Sequence, residues 1–111
     1  MKISKSAVLV VAFAALSFLL IPRAAFAADT GADLYKAKCA MCHGADAAGK
    51  PALKAPSLVS DEAKKKSDEE ITDMIANGGK EKKASHAFSQ KGLSAEQIKS
   101  LVDYIRSLQK K

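Results

Sequence analysis

Apolar residues recur at helical spacing in three stretches of this 111-residue chain, and the polar residues between them mark where each stretch begins and ends. The clearest stretch is the last. Ile98, Leu101, Val102, Ile105 and Leu108 fall on one face of a 3.6-residue period, which predicts an amphipathic helix. Its start is marked by Ser94-Ala95-Glu96-Gln97, a capping box in which the serine hydroxyl and the Gln97 side chain each satisfy a backbone amide that the first turn leaves free. Lys110 and Lys111 suit the negative end of the helix dipole. Ser67-Asp68-Glu69-Glu70 carries the same start signal, followed by Ile71, Met74 and Ile75 at i, i+3 and i+4, and Gly78-Gly79 closes this second helix. A further helix is predicted over 31–41, with Leu34, Tyr35 and Lys38 along one side. Residues 43–60, with Gly44, Gly49, Pro51 and Pro56, read as a loop, and so does the lysine-rich stretch 80–92 that contains His86 and Phe88. The expected fold class is all-α.

The N-terminus has a different character. Lys2 and Lys5 precede a 15-residue apolar run from Ala7 to Ile21, Pro22 ends it, and Ala25-Phe26-Ala27 offers small residues where a signal peptidase reads them. Residues 1–27 are therefore expected to be a signal peptide cut after Ala27, and the destination periplasmic or otherwise exported. The run is short of the ~20 residues a spanning helix needs, so no stable membrane insertion is expected after cleavage. What remains, Ala28 to Lys111, is one domain of 84 residues. A domain of this size with few aromatic residues has a thin core and gains from a buried cofactor.

Cys39-Ala40-Met41-Cys42-His43 says which cofactor. Cys-x-x-Cys-His is the spacing of covalent haem c attachment: two thiols add to the two haem vinyl groups, and the next residue offers an imidazole to the iron. Two plainer readings of the cysteines are a redox disulfide and half of a zinc site. The first belongs after a strand in a βαβ unit, and no Val/Ile/Thr alternation surrounds the motif. The second usually needs four Cys or His ligands; the chain has two cysteines, and His86 is its only other histidine. A haem-free dithiol factor is the corresponding functional alternative.

Charge changes the picture little. The whole chain carries 18 Lys+Arg against 12 Asp+Glu, but the signal segment takes three of the basic residues with it and none of the acids. The remaining +3, reduced further by two haem propionates, gives no case for nucleic acid. Local basic runs at Lys64-Lys65-Lys66 and at Lys80, Lys82 and Lys83 fit either a solvated surface or a docking rim for an acidic redox partner. A monomer is expected. Neither a phosphate-binding glycine loop nor a catalytic triad is visible, so an electron-transfer role is expected rather than an enzyme.

Across the whole mature domain the sequence resembles the small class I c-type cytochromes. The resemblance implies three main helices around one covalently bound haem, with the N- and C-terminal helices crossing. Gly31 and Tyr35 resemble the family's small and aromatic positions ahead of the haem motif, and Tyr104 the C-terminal aromatic of the crossing. Ala55-Pro56-Ser57-Leu58 resembles the family's Gly-Pro-Asn-Leu segment, which implies that the Pro56 carbonyl accepts a hydrogen bond from His43 and fixes the ring.

The chain departs from the family pattern at the second iron ligand. Where the family usually has a methionine, this sequence reads Ala84-Ser85-His86-Ala87-Phe88. His86 is the candidate distal ligand, Met74 a less favoured one because it shares the Ile71 and Ile75 stripe, and an open position is the third option. Ligation by His86 implies a six-coordinate electron carrier of lower potential than His/Met relatives. An open position implies a five-coordinate haem that binds gas or peroxide, as a sensor or weak peroxidase, with His86 as a free polar group.

Overall fold

The computed structural model describes residues 30–111; the expected signal segment and its cleavage point lie outside them. The described residues form five helices and no strands: α1 (Gly31–Lys38), α2 (Ala40–His43), α3 (Asp61–Lys65), α4 (Asp68–Asn77) and α5 (Ala95–Gln109), with one 3-10 turn at Pro51–Leu53. None of the helices is long and apolar enough to cross a membrane.

Local chemistry sets the helix starts. Both expected capping boxes are formed: the Ser67 hydroxyl accepts from the Glu70 amide while Glu70 accepts from the Ser67 amide, and Ser94 and Gln97 do the same for α5. Thr30 caps α1 by accepting from the Asp33 amide. Gly78, at φ 85°, ends α4 in the left-handed conformation expected of a helix-terminating glycine.

The core is built where α1 crosses α5. All five predicted apolar residues of α5 are buried, and they meet Leu34 and Tyr35 of α1 and Ile71, Ile75 and Ala76 of α4. Leu101, fully buried, contributes about 1.5–3 kcal/mol by leaving water. Gly31 permits the close approach of the two helices. A Cβ there would stand 2.1 Å from the Ser100 carbonyl oxygen and 3.1 Å from Tyr104 Cβ, so any side chain forces the helices apart. Beside it the Tyr35 and Tyr104 rings meet at 5.3 Å. At the far end of α5, Arg106 ion-pairs with Asp68 and donates to the carbonyls of Lys64 and Lys66, tying the start of α4 to the last helix.

The expectations over 31–41 and 43–66 need correction. The first helix is not continuous, because Cys39 takes φ −119° and turns the chain before α2 carries the helix on to His43. The segment 43–60 is a loop, yet it holds a small antiparallel bridge, Lys50 with Ala55, closed around the Pro51–Leu53 turn. Lys64 and Lys65 sit not in a loop but in the last turn of α3, capped by Ser60; all five residues of that helix stay outside the core, so no hydrophobic period announced it. Met74 is only half-buried, leaving Ile71, Ile75 and Ala76 as the inward face of α4.

Candidate functional site

The break at Cys39 separates the chemistry of the two cysteines. Cys39 is partly buried and Cys42 exposed, and no disulfide joins them. Burial, with a smaller contribution from the neighbouring Cys42, pushes the Cys39 thiol up to about 11. It therefore stays protonated near neutrality and has no tendency toward the activated thiolate of a redox dithiol. Among the described residues no three Cys, His, Asp or Glu side chains gather as a metal cluster.

His43 is buried at 8% exposure, and its Nδ1 lies 2.9 Å from the Pro56 carbonyl oxygen. A carbonyl only accepts, so Nδ1 is the donor and the Nε2 lone pair is left free. This contact depends on Gly49. At φ 87°, a Cβ on Gly49 would fall 2.7 Å from the Ser57 amide nitrogen and 2.8 Å from the Ala55 oxygen and the Pro56 carbonyl carbon. Only a glycine lets residues 55–57 close over the turn that follows His43. Two backbone bonds complete the fastening, Gly49 N–H to His43 O at 2.8 Å and Leu58 N–H to Ala47 O at 2.8 Å. From the other side the buried Tyr35 hydroxyl donates to Gly44 O at 2.8 Å. Burial pushes the Tyr35 phenol up to about 12, so it remains a donor at any physiological pH.

Gly49 and the Tyr35 hydroxyl are site residues that sequence reading missed. Gly49 was visible only as one of several loop-forming residues, and Tyr35 only as core packing. The bond partner of each lies nine or fewer residues away but on a different local element.

His86 reaches the same place from the other end of the domain. The two imidazoles have ring centres 6.1 Å apart and planes inclined by 17°. Two imidazoles on opposite sides of one metal ion, with bonds of about 2.0–2.1 Å as for zinc and ~1.1 Å from nitrogen to ring centre, stand about 6.3 Å apart. The observed 6.1 Å is close to that spacing. His86 is half-buried, and its Nδ1 is buried without a hydrogen-bond partner. Burial above all, then the His43 ring and the Lys83 and Lys91 ammonium groups, hold its pKa below the usual histidine range.

The loop that presents His86 is held differently from the His43 side. Phe88 N–H bonds Ile75 O at 2.9 Å and Ser89 N–H bonds Ala76 O at 3.2 Å, so the chain just past His86 takes up carbonyls that the end of α4 leaves free. Lys82 and Ala87 both sit at φ 52° without being glycines, a strained conformation on each side of the histidine. Met74 lies against Gly79, with its Cε 2.8 Å and Sδ 3.2 Å from where a Gly79 Cβ would be.

Comparison with known proteins agrees with this architecture. No curated protein matches the chain. Residues 26–105 match the family described as cytochrome C oxidase, cbb3-type, subunit III. Among solved structures the chain is similar to the KustC0563 c-type cytochrome, at a TM-score of 0.60 and 31% sequence identity over 72% of this chain and 98% of that one. A helical domain with one Cys-x-x-Cys-His motif, matched over most of its length, is a cytochrome c fold with one covalently bound haem c, and the chain belongs to the cytochrome c domain family described as cytochrome C oxidase, cbb3-type, subunit III.

Proposed function

We propose that the protein is a periplasmic single-haem electron carrier, released from the signal segment 1–27, in which His43 and His86 are the two axial ligands of the iron. The observation that carries this reading is the 6.1 Å spacing of the two imidazoles. Cys39 and Cys42 are the thioether positions, the first one turn ahead of His43 and the second immediately before it. When bound, the haem supplies a reversible one-electron couple and the protein supplies its surroundings. Pro56 O orients His43 and, by accepting from Nδ1, makes Nε2 more basic. His86 brings a second neutral nitrogen in place of a thioether, which lowers the potential relative to His/Met relatives.

Of the two basic runs, the one beside His86 is the better docking rim. Between Asp61 and Asp73 six carboxylates outnumber Lys64, Lys65 and Lys66, whereas between Lys80 and Lys91 four lysines face only Glu81. An acidic redox partner is thus drawn to Lys80, Lys82, Lys83 and Lys91, next to the ligand through which the iron is approached.

A redox titration of the exported holoprotein, with carbon monoxide addition to the reduced form, tests the ligand pair. The expected result is a potential below the His/Met range and slow or no carbon monoxide binding. Rapid, tight binding would point instead to a five-coordinate haem for gas or peroxide, with His86 free.

A further inference from the structure

Phe88 is one of the few buried residues contributed by the segment between α4 and α5, at 8% exposure, and it stands next to His86 in sequence and in space. Its ring centre is 6.4 Å from that of His86, with the planes at 59°. Three independent contacts hold Phe88. Its amide bonds Ile75 O at the end of α4, its side chain belongs to the same core cluster as α1, α4 and α5, and the Lys91 ammonium lies 4.9 Å over its ring. Lys91 also donates to Ser85 O at 3.4 Å, so it bridges from one side of His86 to the other. His86 itself has no hydrogen bond at Nδ1 to fix its rotation, in contrast to His43, whose Nδ1 is held by Pro56. The direction in which the His86 ring faces is therefore left to packing.

From this we infer that Phe88 is the positioning residue that sets the rotation of the His86 ring and holds it nearly parallel to the His43 ring. The inference rests on the proposed ligation of one iron by both histidines. It adds a spectroscopic consequence that ligation alone does not carry. Each imidazole donates π density to the iron d orbitals perpendicular to its own plane. When two ring planes are nearly parallel, as with the 17° here, both raise the same orbital and split the pair strongly. When they are crossed, the two effects cancel. The first arrangement gives a ferric low-spin electron paramagnetic resonance spectrum with three resolved g values; the second gives a single dominant feature at large g.

The test is that spectrum, recorded on the oxidised holoprotein and on Phe88→Leu, Phe88→Tyr and His86→Ala. The native protein is expected to be rhombic, with three resolved g values. Phe88→Leu removes the ring face, and its spectrum is expected to shift toward the large-g form or to broaden into several orientations, with the optical low-spin bands retained. Phe88→Tyr keeps the ring and is expected to restore the native g values. Where Leu prevents haem loading, Phe88→Met serves, being of similar volume and without a ring. A large-g native spectrum overturns the near-parallel geometry, and native g values in both ring-removing variants overturn the role of Phe88 while leaving the ligand pair intact. An unchanged low-spin spectrum in His86→Ala overturns the ligand pair and this inference together.

Discussion

The two histidines of this domain are held by opposite means. His43 stands in a segment fastened at nearly every residue: its ring nitrogen to Pro56, its carbonyl to Gly49, its following residue to the Tyr35 hydroxyl. His86 stands in a run of turns beside the buried Phe88, with an unpartnered ring nitrogen. The first arrangement sets a ligand through hydrogen bonds and leaves it little freedom. The second leaves a histidine to packing, with lysines and solvent around it. Changes in the His86 loop therefore disturb fewer bonds elsewhere than changes around His43.

The difference can be broken most severely on the His43 side. Gly49→Val places a branched side chain at φ 87° and within 2.7–2.8 Å of three backbone atoms, so residues 55–57 must lift from His43. The expected loss is about 3 kcal/mol or more, together with poor haem retention, read by thermal unfolding and haem absorbance per mole of protein. Tyr35→Phe is milder. It leaves the Gly44 carbonyl without its buried donor and is expected to cost about 1–3 kcal/mol in denaturant unfolding, with the ligand spectrum unchanged.

The distal loop should respond in the other direction. Ala87→Gly relieves a left-handed alanine, worth up to about 1–2 kcal/mol of strain, against the entropy that a glycine loses on folding. A net gain of a few tenths to about 1 kcal/mol is expected, again by denaturant unfolding. An equal or larger loss would show that the loop is not strained at Ala87.

Much of this was legible in the sequence, for identifiable reasons. Both capping boxes and the five-residue stripe of α5 use partners three or four residues apart, and those can be read directly. The haem motif is contiguous. What could not be read is whatever depends on partners brought together by folding or on backbone angles. The break at Cys39 leaves no trace in hydrophobic period. Helix α3 buries none of its residues, so no apolar stripe marks it in the sequence. Gly49 was one loop glycine among several until Pro56 was seen to pack on it. His86 was identified as a candidate by its place in the chain, but its distance from a ring 43 residues away is a property of the fold.

The smallest expected effect lies at the start of α4, remote from both ligands. The Glu70 carboxyl is held below the ordinary carboxylate range, first by the hydrogen bond from the Ser67 backbone amide. A depressed folded-state pKa means that its contribution is present above the unfolded value and is lost as pH falls through the folded one. Glu70→Gln should therefore lower stability slightly at neutral pH, leave it unchanged below the folded pKa, and so flatten the acid limb of the unfolding curve.

The most direct test of the contrast exchanges the distal ligand while keeping the loop. His86→Met offers the iron a thioether where the native chain offers an imidazole, and methionine ligation raises the reduction potential. With His43 and His86 as the ligand pair, the midpoint potential of the His86→Met holoprotein rises clearly above that of the native one while the haem stays low-spin. An unchanged potential and spectrum would contradict the account, because it would mean that His86 does not touch the iron.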